Sequence, residues 1–399
     1  MKDPRSKLLW RALSLAGVAF FGLAALTAIR LAVAETFFRQ DTLAAGRLAI
    51  AIQGSAPSEE CTRRLPELDP DHAREDLEHI VHSVNSRSSA AWIDLGLLED
   101  AAGDASAAER DLLTAARLDH QYLPAWTLAN FYFRQGKREL FWPCAKRAAL
   151  LSVSRLAYSD FQPLLQLCDQ LEPNADRFLA HFADSNEARS IRPSYLHFLT
   201  VRNRLDAAQQ VARGMFGDHA NDPHLIDLAD RQIRAGNSAA AIEVWNASSG
   251  FSPLDPESGK LLTNGDLIHA PLNLGFDWRL SQIDGVYVAW RPSELSFTFS
   301  GSQPEQCVLL EQAIFLTARH FRLRFDYTTG AMPSSGIHWS LNDAEGPGIE
   351  ASQTWREGAF DIPRVPGLAH LRLVYRRERG TTRTQGRLEL RNLRLEGRS

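Results

Sequence analysis

Residues 89–122 read SAAWIDLGLLEDAAGDASAAERDLLTAARLDHQY, and residues 123–137 continue LPAWTLANFYFRQGK. Trp92 and Trp126 stand 34 residues apart. Between them, apolar residues recur at helical spacing on either side of a Gly103-Asp104 turn, which predicts two antiparallel helices. Gly96 and Ala108 are small where those helices would cross closely, while Trp92, Leu95 and Leu112 fill the space between them. Gly103 suits the left-handed residue that ends the first helix. A single unit of this kind cannot bury its own apolar face, so the period predicts a stacked array.

The spacing of Trp92, Leu95, Gly96 and Ala108 resembles the tetratricopeptide-repeat family. A second unit keeps Trp126 with Ala129, Asn130 and Phe133, but Gly136 comes one residue early and Pro143 enters the following helix. Weaker units follow at residues 193–212 (Tyr195, Phe198, Leu199, Ala207, Ala208, Val211) and 222–246 (Leu225, Leu228, Ala229, Gly236-Asn237, Ala241, Val244, Trp245). Upstream, residues 70–86 place Ala73, Leu77, Ile80 and Val84 on one helical face as a half-repeat that caps the array. The resemblance implies a concave face that holds a protein partner. The alternative is a spacer with no partner.

Outward toward the N-terminus, Lys2, Arg5, Lys7 and Arg11 precede an uncharged run at residues 12–29, ALSLAGVAFFGLAALTAI. Residues 12–34 are long enough to cross a bilayer, with Arg30 snorkelling. The basic residues on the near side predict a single-pass inner-membrane anchor with a cytoplasmic N-terminus and the bulk of the chain in the periplasm. A cleaved signal peptide is the competing reading, because Ala32-Val33-Ala34 before Glu35 has the form of a cleavage site. Residues 36–53 are expected to continue as helix until 54–57 stop it.

The whole chain has 399 residues, 44% of them hydrophobic, with a net charge of −4. That balance opposes a protein held to nucleic acid or another polyanion by bulk electrostatics. The four cysteines, Cys61, Cys144, Cys168 and Cys307, form no metal-ligand or redox spacing. Free thiols and a Cys144–Cys168 disulfide both remain open.

After Trp245 the composition changes. Residues 249–259 read as a linker, and from there the sequence alternates in the manner of strands, as in LSFTF at 295–299, FRLRFDY at 321–327, LRLVY at 371–375 and RLELRNLRL at 387–395. In FRLRFDY the residues Phe321, Leu323, Phe325 and Tyr327 share one face, and Arg322, Arg324 and Asp326 the other. Several such strands predict an antiparallel β-sandwich. The domain plan is therefore an anchor at 1–35, a helical array at 36–248, the linker, and a sandwich at 260–399. Nine arginines between 372 and 398 are expected on a solvated face, with residues 376–380 at a hairpin tip.

Asn264-Gly265-Asp266, followed by Gly275-Phe276-Asp277-Trp278 and by a terminal strand at 386–395, resembles the jelly-roll carbohydrate-binding modules and their galactose-binding-like relatives. Leu267-Ile268 stands where that family often has Phe-Glu, so a calcium site is not expected. Sugar recognition needs exposed rings that stack on pyranose faces. Trp278, Tyr287, Trp290, Trp339 and Trp355 are the candidates, with burial between the sheets as the alternative for each.

No phosphate-binding loop, zinc-protease, nucleophile-elbow or Cys-His phrase occurs, so the reading is of a non-enzymatic protein without cofactor or metal. His320, His338 and His370 are dispersed among strands and read as structural. Two functions remain: a membrane-anchored periplasmic scaffold in exopolysaccharide or cell-envelope assembly, and a glycan-binding module on a helical stalk.

Overall fold

The computed structural model describes residues 4–39, 42–53, 71–152, 158–182, 185–218, 222–248, 252–317, 319–332 and 336–398. The expected stop at 54–57 and Cys61 lie outside them. The chain divides into two compact units, residues 1–171 and 172–399.

The first unit is helical. Helix α1 (Pro4–Phe38) is followed by α2 (Leu43–Gln53), which returns along it. Ala34 and Ala49 meet at that crossing, fully buried, with Phe37 and Ile52 packed around them. The Arg30 guanidinium donates twice to the Ile52 carbonyl, at 3.0 and 2.7 Å, and so caps the end of α2. The window Phe20–Phe37 is long and apolar enough to cross a membrane. Phe20, Phe21, Leu23, Leu26 and Ile29 are all exposed along it.

After α3 (Ala73–His79) and a π-helical turn (Ile80–Val84) come two helical hairpins, α4 (Ser89–Ala101) with α5 (Ala105–Leu118), and α6 (Tyr122–Arg134) with α7 (Arg138–Ser152). Their ends are specified locally. The Ser88 hydroxyl accepts the Ala91 N–H at 3.2 Å, and Asp104 Oδ1 accepts the Ala107 N–H at 3.0 Å. Gly103 takes φ +88° between α4 and α5. Leu95, Ala108 and Leu112 are buried, and a Cβ on Gly96 would lie 2.8 Å from Leu112 Cγ. Trp92 packs backward, its indole N–H donating to the Ser86 carbonyl at 3.0 Å and its ring edge-on to His82; it and Trp126 are half-buried. Helix α8 (Tyr158–Leu171) closes the unit. Cys144, Cys168 and Cys307 are free thiols, so residues 144 and 168 are not bridged.

The second unit begins with α9 (Ala175–Ala180), α10 (Ser185–Val201), α11 (Leu205–Arg213), α12 (Asp222–Arg234) and α13 (Ser238–Ala247). It then folds ten strands into two antiparallel sheets: β1 (Arg279–Leu280), β2 (Val286–Arg291), β3 (Glu294–Ser300), β4 (Gln306–Leu316), β5 (His320–Thr328), β6 (Ile337–Leu341), β7 (Ala344–Gly348), β8 (Arg356–Ile362), β9 (Gly367–Arg376) and β10 (Gln385–Arg398). One sheet runs β1-β4-β9-β6-β7 and the other β2-β3-β10-β5-β8. Their inner faces share one core that includes Phe297, Leu323, Phe325, Leu371, Leu373 and Leu390. In β10 a bulge at 391–394, with Asn392 at φ +53°, keeps Leu388 and Leu390 on the same inward side as Leu393.

Three expectations need correction. Residues 36–53 do not run on as one helix, because α1 ends at Phe38 and α2, which begins at Leu43, turns back along it. Residues 376–380 do not tip a hairpin, because β9 and β10 belong to different sheets and residues 377–384 carry the chain across between them. For the same reason the nine arginines share no single face. Arg372 and Arg376 pair with Glu311 and Glu345 on one sheet, while Arg387 and Arg391 pair with Glu389 and Asp326 on the other.

Candidate functional site

The five aromatic candidates are not brought together. Trp278 and Trp339 are 0% and 1% exposed, with ring centroids 6.2 Å apart inside the core, and so offer no face to a sugar. Trp278 donates its indole N–H to the Asn264 carbonyl at 3.0 Å. Trp290 is half-buried and bonded to the Leu267 carbonyl at 2.9 Å. Trp355, also half-buried, has the Arg391 guanidinium 4.0 Å over its ring, in the position a sugar face would take. Only Tyr287 among the five is open, 71% exposed on β2, and that strand lies at the sheet edge opposite β8, which Trp355 immediately precedes.

The Asn264 to Trp278 phrase holds the start of the sandwich together. Asp277 is fully buried, accepting the Leu272 N–H at 2.8 Å and the Asn264 amide at 3.2 Å. Burial pushes its carboxyl above the usual range. A hollow of about 440 Å³ lies beside this phrase, walled by the loop at 259–266 and by residues 393–395. The Asn264 amide that faces it is already bonded to Asp277 and to the His269 carbonyl.

The stronger site is a cleft of about 330 Å³ on the outer face of the β1-β4-β9-β6-β7 sheet. Strand alternation builds it: Leu371, Leu373 and Tyr375 point into the core from β9, which leaves His370, Arg372, Val374 and Arg376 outward. Ser340 lies opposite Arg372 and His338 opposite Val374 across the β6–β9 pairing. Glu345 on β7 is registered with Ser340 and forms one wall with the Asn342-Asp343 turn. The turn is fixed to β9, because Asn342 Oδ1 accepts the His370 N–H at 2.9 Å and the Asn342 N–H donates to the His370 carbonyl at 3.0 Å. Asn342 adopts φ +50°, which asparagine tolerates better than most residues. A floor carried on paired strands is more rigid than one carried on loops.

The arginines of this region are paired within the sheet. Glu311 accepts from His370 Nδ1 at 2.9 Å and from Arg372 Nε at 2.6 Å, and these two bonds hold its carboxyl down at about 2. Arg376 pairs with Glu345 at 2.5 Å. His338 is 8% exposed, and its Nε2, 3.8 Å from Glu345 Oε1, has no hydrogen-bond partner among the described residues. Burial and the Arg376 charge depress its pKa, against the opposing pull of Glu345. Among the described residues, no group of three or more His, Cys, Asp or Glu is placed to hold a metal ion.

Nothing local in the sequence assembles this cleft. IHWSL at 337–341 alternates apolar with polar, but it is buried on both faces and Val374 is buried on the outer side, so the cleft depends on the pairing of β6 with β9, which no local pattern reveals. The usable signal was His370, Arg372 and Arg376 at even spacing on one strand.

No protein-family model matches the chain, and no curated protein matches it. Solved structures similar to it include a variant of a family 29 carbohydrate-binding module, with TM-score 0.19 and 11% identity over 29% of this chain and 77% of that one. A CBM29-2 variant complexed with mannohexaose has TM-score 0.19 and 12% identity, covering 29% of this chain and 79% of that one. A CBM29-2 variant complexed with cellulohexaose has TM-score 0.19 and 11% identity with the same coverage. A likeness at that score fixes neither fold nor ligand; the strands and the cleft carry both readings.

Proposed function

We propose that this chain is a membrane-tethered glycan-binding protein whose sandwich engages a polysaccharide through the β6–β9 cleft. One observation carries the reading: an open groove on a rigid sheet, lined by alternating donors and acceptors (Arg372, Arg376, Ser340, Asn342, Glu345). Such lining matches a polyol better than an apolar ligand. The apolar run of helix α1 is the tether, with Lys2, Arg5, Lys7 and Arg11 before that run on the cytoplasmic side and the residues after it in the periplasm. The test is binding of the full chain, in lipid nanodiscs, to a panel of envelope polysaccharides. The Arg372→Ala/Glu345→Ala variant should bind at least tenfold more weakly with an unchanged circular dichroism spectrum. No binding by the wild type, or equal binding by the variant, refutes the reading.

A second reading has its own observation. The hairpins α4–α5 and α6–α7 follow the 34-residue spacing of a tetratricopeptide-like array, and Leu97, Leu113, Leu118, Leu123 and Leu140 are exposed on them. These would dock a protein partner, making the chain a scaffold of envelope or exopolysaccharide assembly. Crosslinking in membranes should capture one specific protein that Leu97→Ser/Leu123→Ser releases; capture unaffected by that change counts against it.

A further inference from the structure

The hollow of about 440 Å³ at the start of the sandwich is left by a strand that stops early. β3 pairs with β10 from Gln385 to Leu390, while β5 stays paired to β10 as far as Arg398. Beyond Leu390 the loop at 259–266 comes up beside β10, tied to it where the Leu393 N–H donates to the Gly265 carbonyl at 2.8 Å. Residue 265 must be glycine for that approach, because a Cβ there would run into the Leu393 carbonyl oxygen. The loop does not fill the slot as a strand would, and space stays open between it and residues 393–395.

Two cations line this space, Lys260 from the loop and Arg394 from β10, and both are exposed. Neither forms an ion pair among the described residues, whereas Arg387 and Arg391 on the same strand pair with Glu389 and Asp326. Register leaves Arg394 without an acid. It lies opposite Arg324 on β5, and Arg324 takes both nearby carboxylates, Glu396 at 2.8 Å and Glu357. Lys260 is bridged to Asp255 through the backbone, but that carboxylate is turned to the Ser258 N–H, 3.3 Å away. Asp266 lines the hollow as well, exposed, with one carboxylate oxygen 3.4 Å from the Ile268 N–H and the other open to accept.

We propose that this hollow is a second saccharide site, one that takes a hexuronate residue of an acidic polysaccharide, with the carboxylate held by Lys260 and Arg394 and ring hydroxyls donating to Asp266. The chemistry follows from the lining. A neutral sugar offers no charge to a bare ammonium and a bare guanidinium. A simple anion such as phosphate fills only a corner of the space and leaves Asp266 without a donor. A hexuronate brings one anion and several hydroxyl donors on a single ring, and the volume is that of a small-ligand site. The hollow shares no lining residue with the β6–β9 cleft, so the proposal stands apart from the reading of that cleft.

The experiment is a calorimetric titration of the full chain, in nanodiscs of zwitterionic lipid, with hexagalacturonate, hexamannuronate, the neutral methyl ester of each, and hexaglutamate. At least one hexuronate should bind, and its methyl ester and hexaglutamate should each bind about fivefold to tenfold more weakly, the worth of two solvent-exposed ion pairs. Lys260→Gln/Arg394→Gln should lose the same factor for the hexuronate with an unchanged circular dichroism spectrum, and Lys260→Glu/Arg394→Glu should lose more. Raising the salt from about 0.05 M to about 0.5 M should weaken the hexuronate and leave mannohexaose unaffected. The cleft variant Arg372→Ala/Glu345→Ala should bind the hexuronate as the wild type does. Failure of both hexuronates to bind, equal binding by the methyl ester or by hexaglutamate, unaltered affinity in the glutamine variant, or a loss caused by the cleft variant would each overturn this inference. Neutral hexasaccharides report on the cleft instead, so their failure to bind removes that reading and leaves this site standing.

Discussion

Asp230→Ala should loosen the sandwich, although residue 230 lies on a helix. Asp230 is 1% exposed on α12, and it accepts the Gly275 N–H at 3.0 Å, Arg234 at 2.5 Å, and Arg279. Beside it Trp245 of α13, also 1% exposed, meets Phe276 edge-on at 6.0 Å. Gly275 fits beneath that indole at φ +61°, where a Cβ would lie 2.2 Å from the ring. Helices α12 and α13 are thus packed to the segment that leads into β1. Alanine at 230 leaves the buried Gly275 N–H and the Arg279 guanidinium, whose side chain is 25% exposed, without their acceptor. Removing one member of a buried pair costs about 3–5 kcal/mol, and the low end applies because both arginines reach solvent. At about 2–4 °C per kcal/mol for a unit of this size, the melting temperature falls by about 6–12 °C. Calorimetry of the full chain in detergent measures that shift, and hydrogen exchange locates it. Amides in 272–280 should exchange roughly a hundredfold faster, the equivalent of about 3 kcal/mol. The Asp230→Ala/Arg279→Met double variant should recover part of the loss. A shift under about 2 °C, or exchange that quickens in the helices alone, refutes the coupling.

Gly96→Ala puts a methyl 2.8 Å from Leu112 Cγ and 3.2 Å from the Ala108 carbonyl, so the α4–α5 hairpin should lose about 1–3 kcal/mol in urea denaturation followed by helical circular dichroism. Glu99 is 3% exposed, and burial together with nearby Asp111 lifts its carboxyl to about 7, against 4.5 when free. The folded state then holds a proton that the unfolded state releases, so stability falls as pH rises from about 4.5 to about 7. In Glu99→Gln the melting temperature should lose that slope. Glu311 behaves oppositely: held at about 2 by His370 and Arg372, it stabilises the fold above 4.5 and loses that contribution as pH falls toward 2. Glu311→Gln should remove this acid-side decline and lower stability at pH 7, as read from melting curves across the pH range.

The fold class was legible because its signals are local. Trp92, Gly96, Gly103 and Ala108 set a helix pair through spacing and one turn, and FRLRFDY sets a strand through strict alternation. What depends on distant pairing was not legible. The run 372–398 looks like one basic face until the crossing at 377–384 assigns its halves to two sheets. The candidate aromatics illustrate a related limit: a tryptophan that could stack on sugar and one that fills a core have the same letter. Trp339 is inward because its neighbours His338 and Ser340 face outward, and they do so because β6 pairs with β9 across a long separation in sequence. The cleft inherits that difficulty, since its groups come from four strands, β4, β6, β7 and β9, none supplying more than three.

On the glycan reading, the same pairings decide how the cleft would work. Glu311 immobilises Arg372 and His370, and Glu345 immobilises Arg376, so the guanidinium donors are oriented during folding and need little further ordering when a ligand arrives. Each arginine lining the groove already has its carboxylate, so neither is left as a bare cation to attract a distant anion. Long-range attraction therefore contributes little, and recognition falls to the match of donors and acceptors at contact. No tryptophan, tyrosine or phenylalanine lines the cleft, so the stacking energy that a large ring would add is missing and each hydrogen bond contributes only about 0.5–1.5 kcal/mol. A site of that kind is weak alone, and holding many copies on one membrane beside a repeating polymer would raise its effective affinity without any new contact. On the glycan reading, then, the groove would select hydroxyl geometry and a membrane tether would supply the avidity.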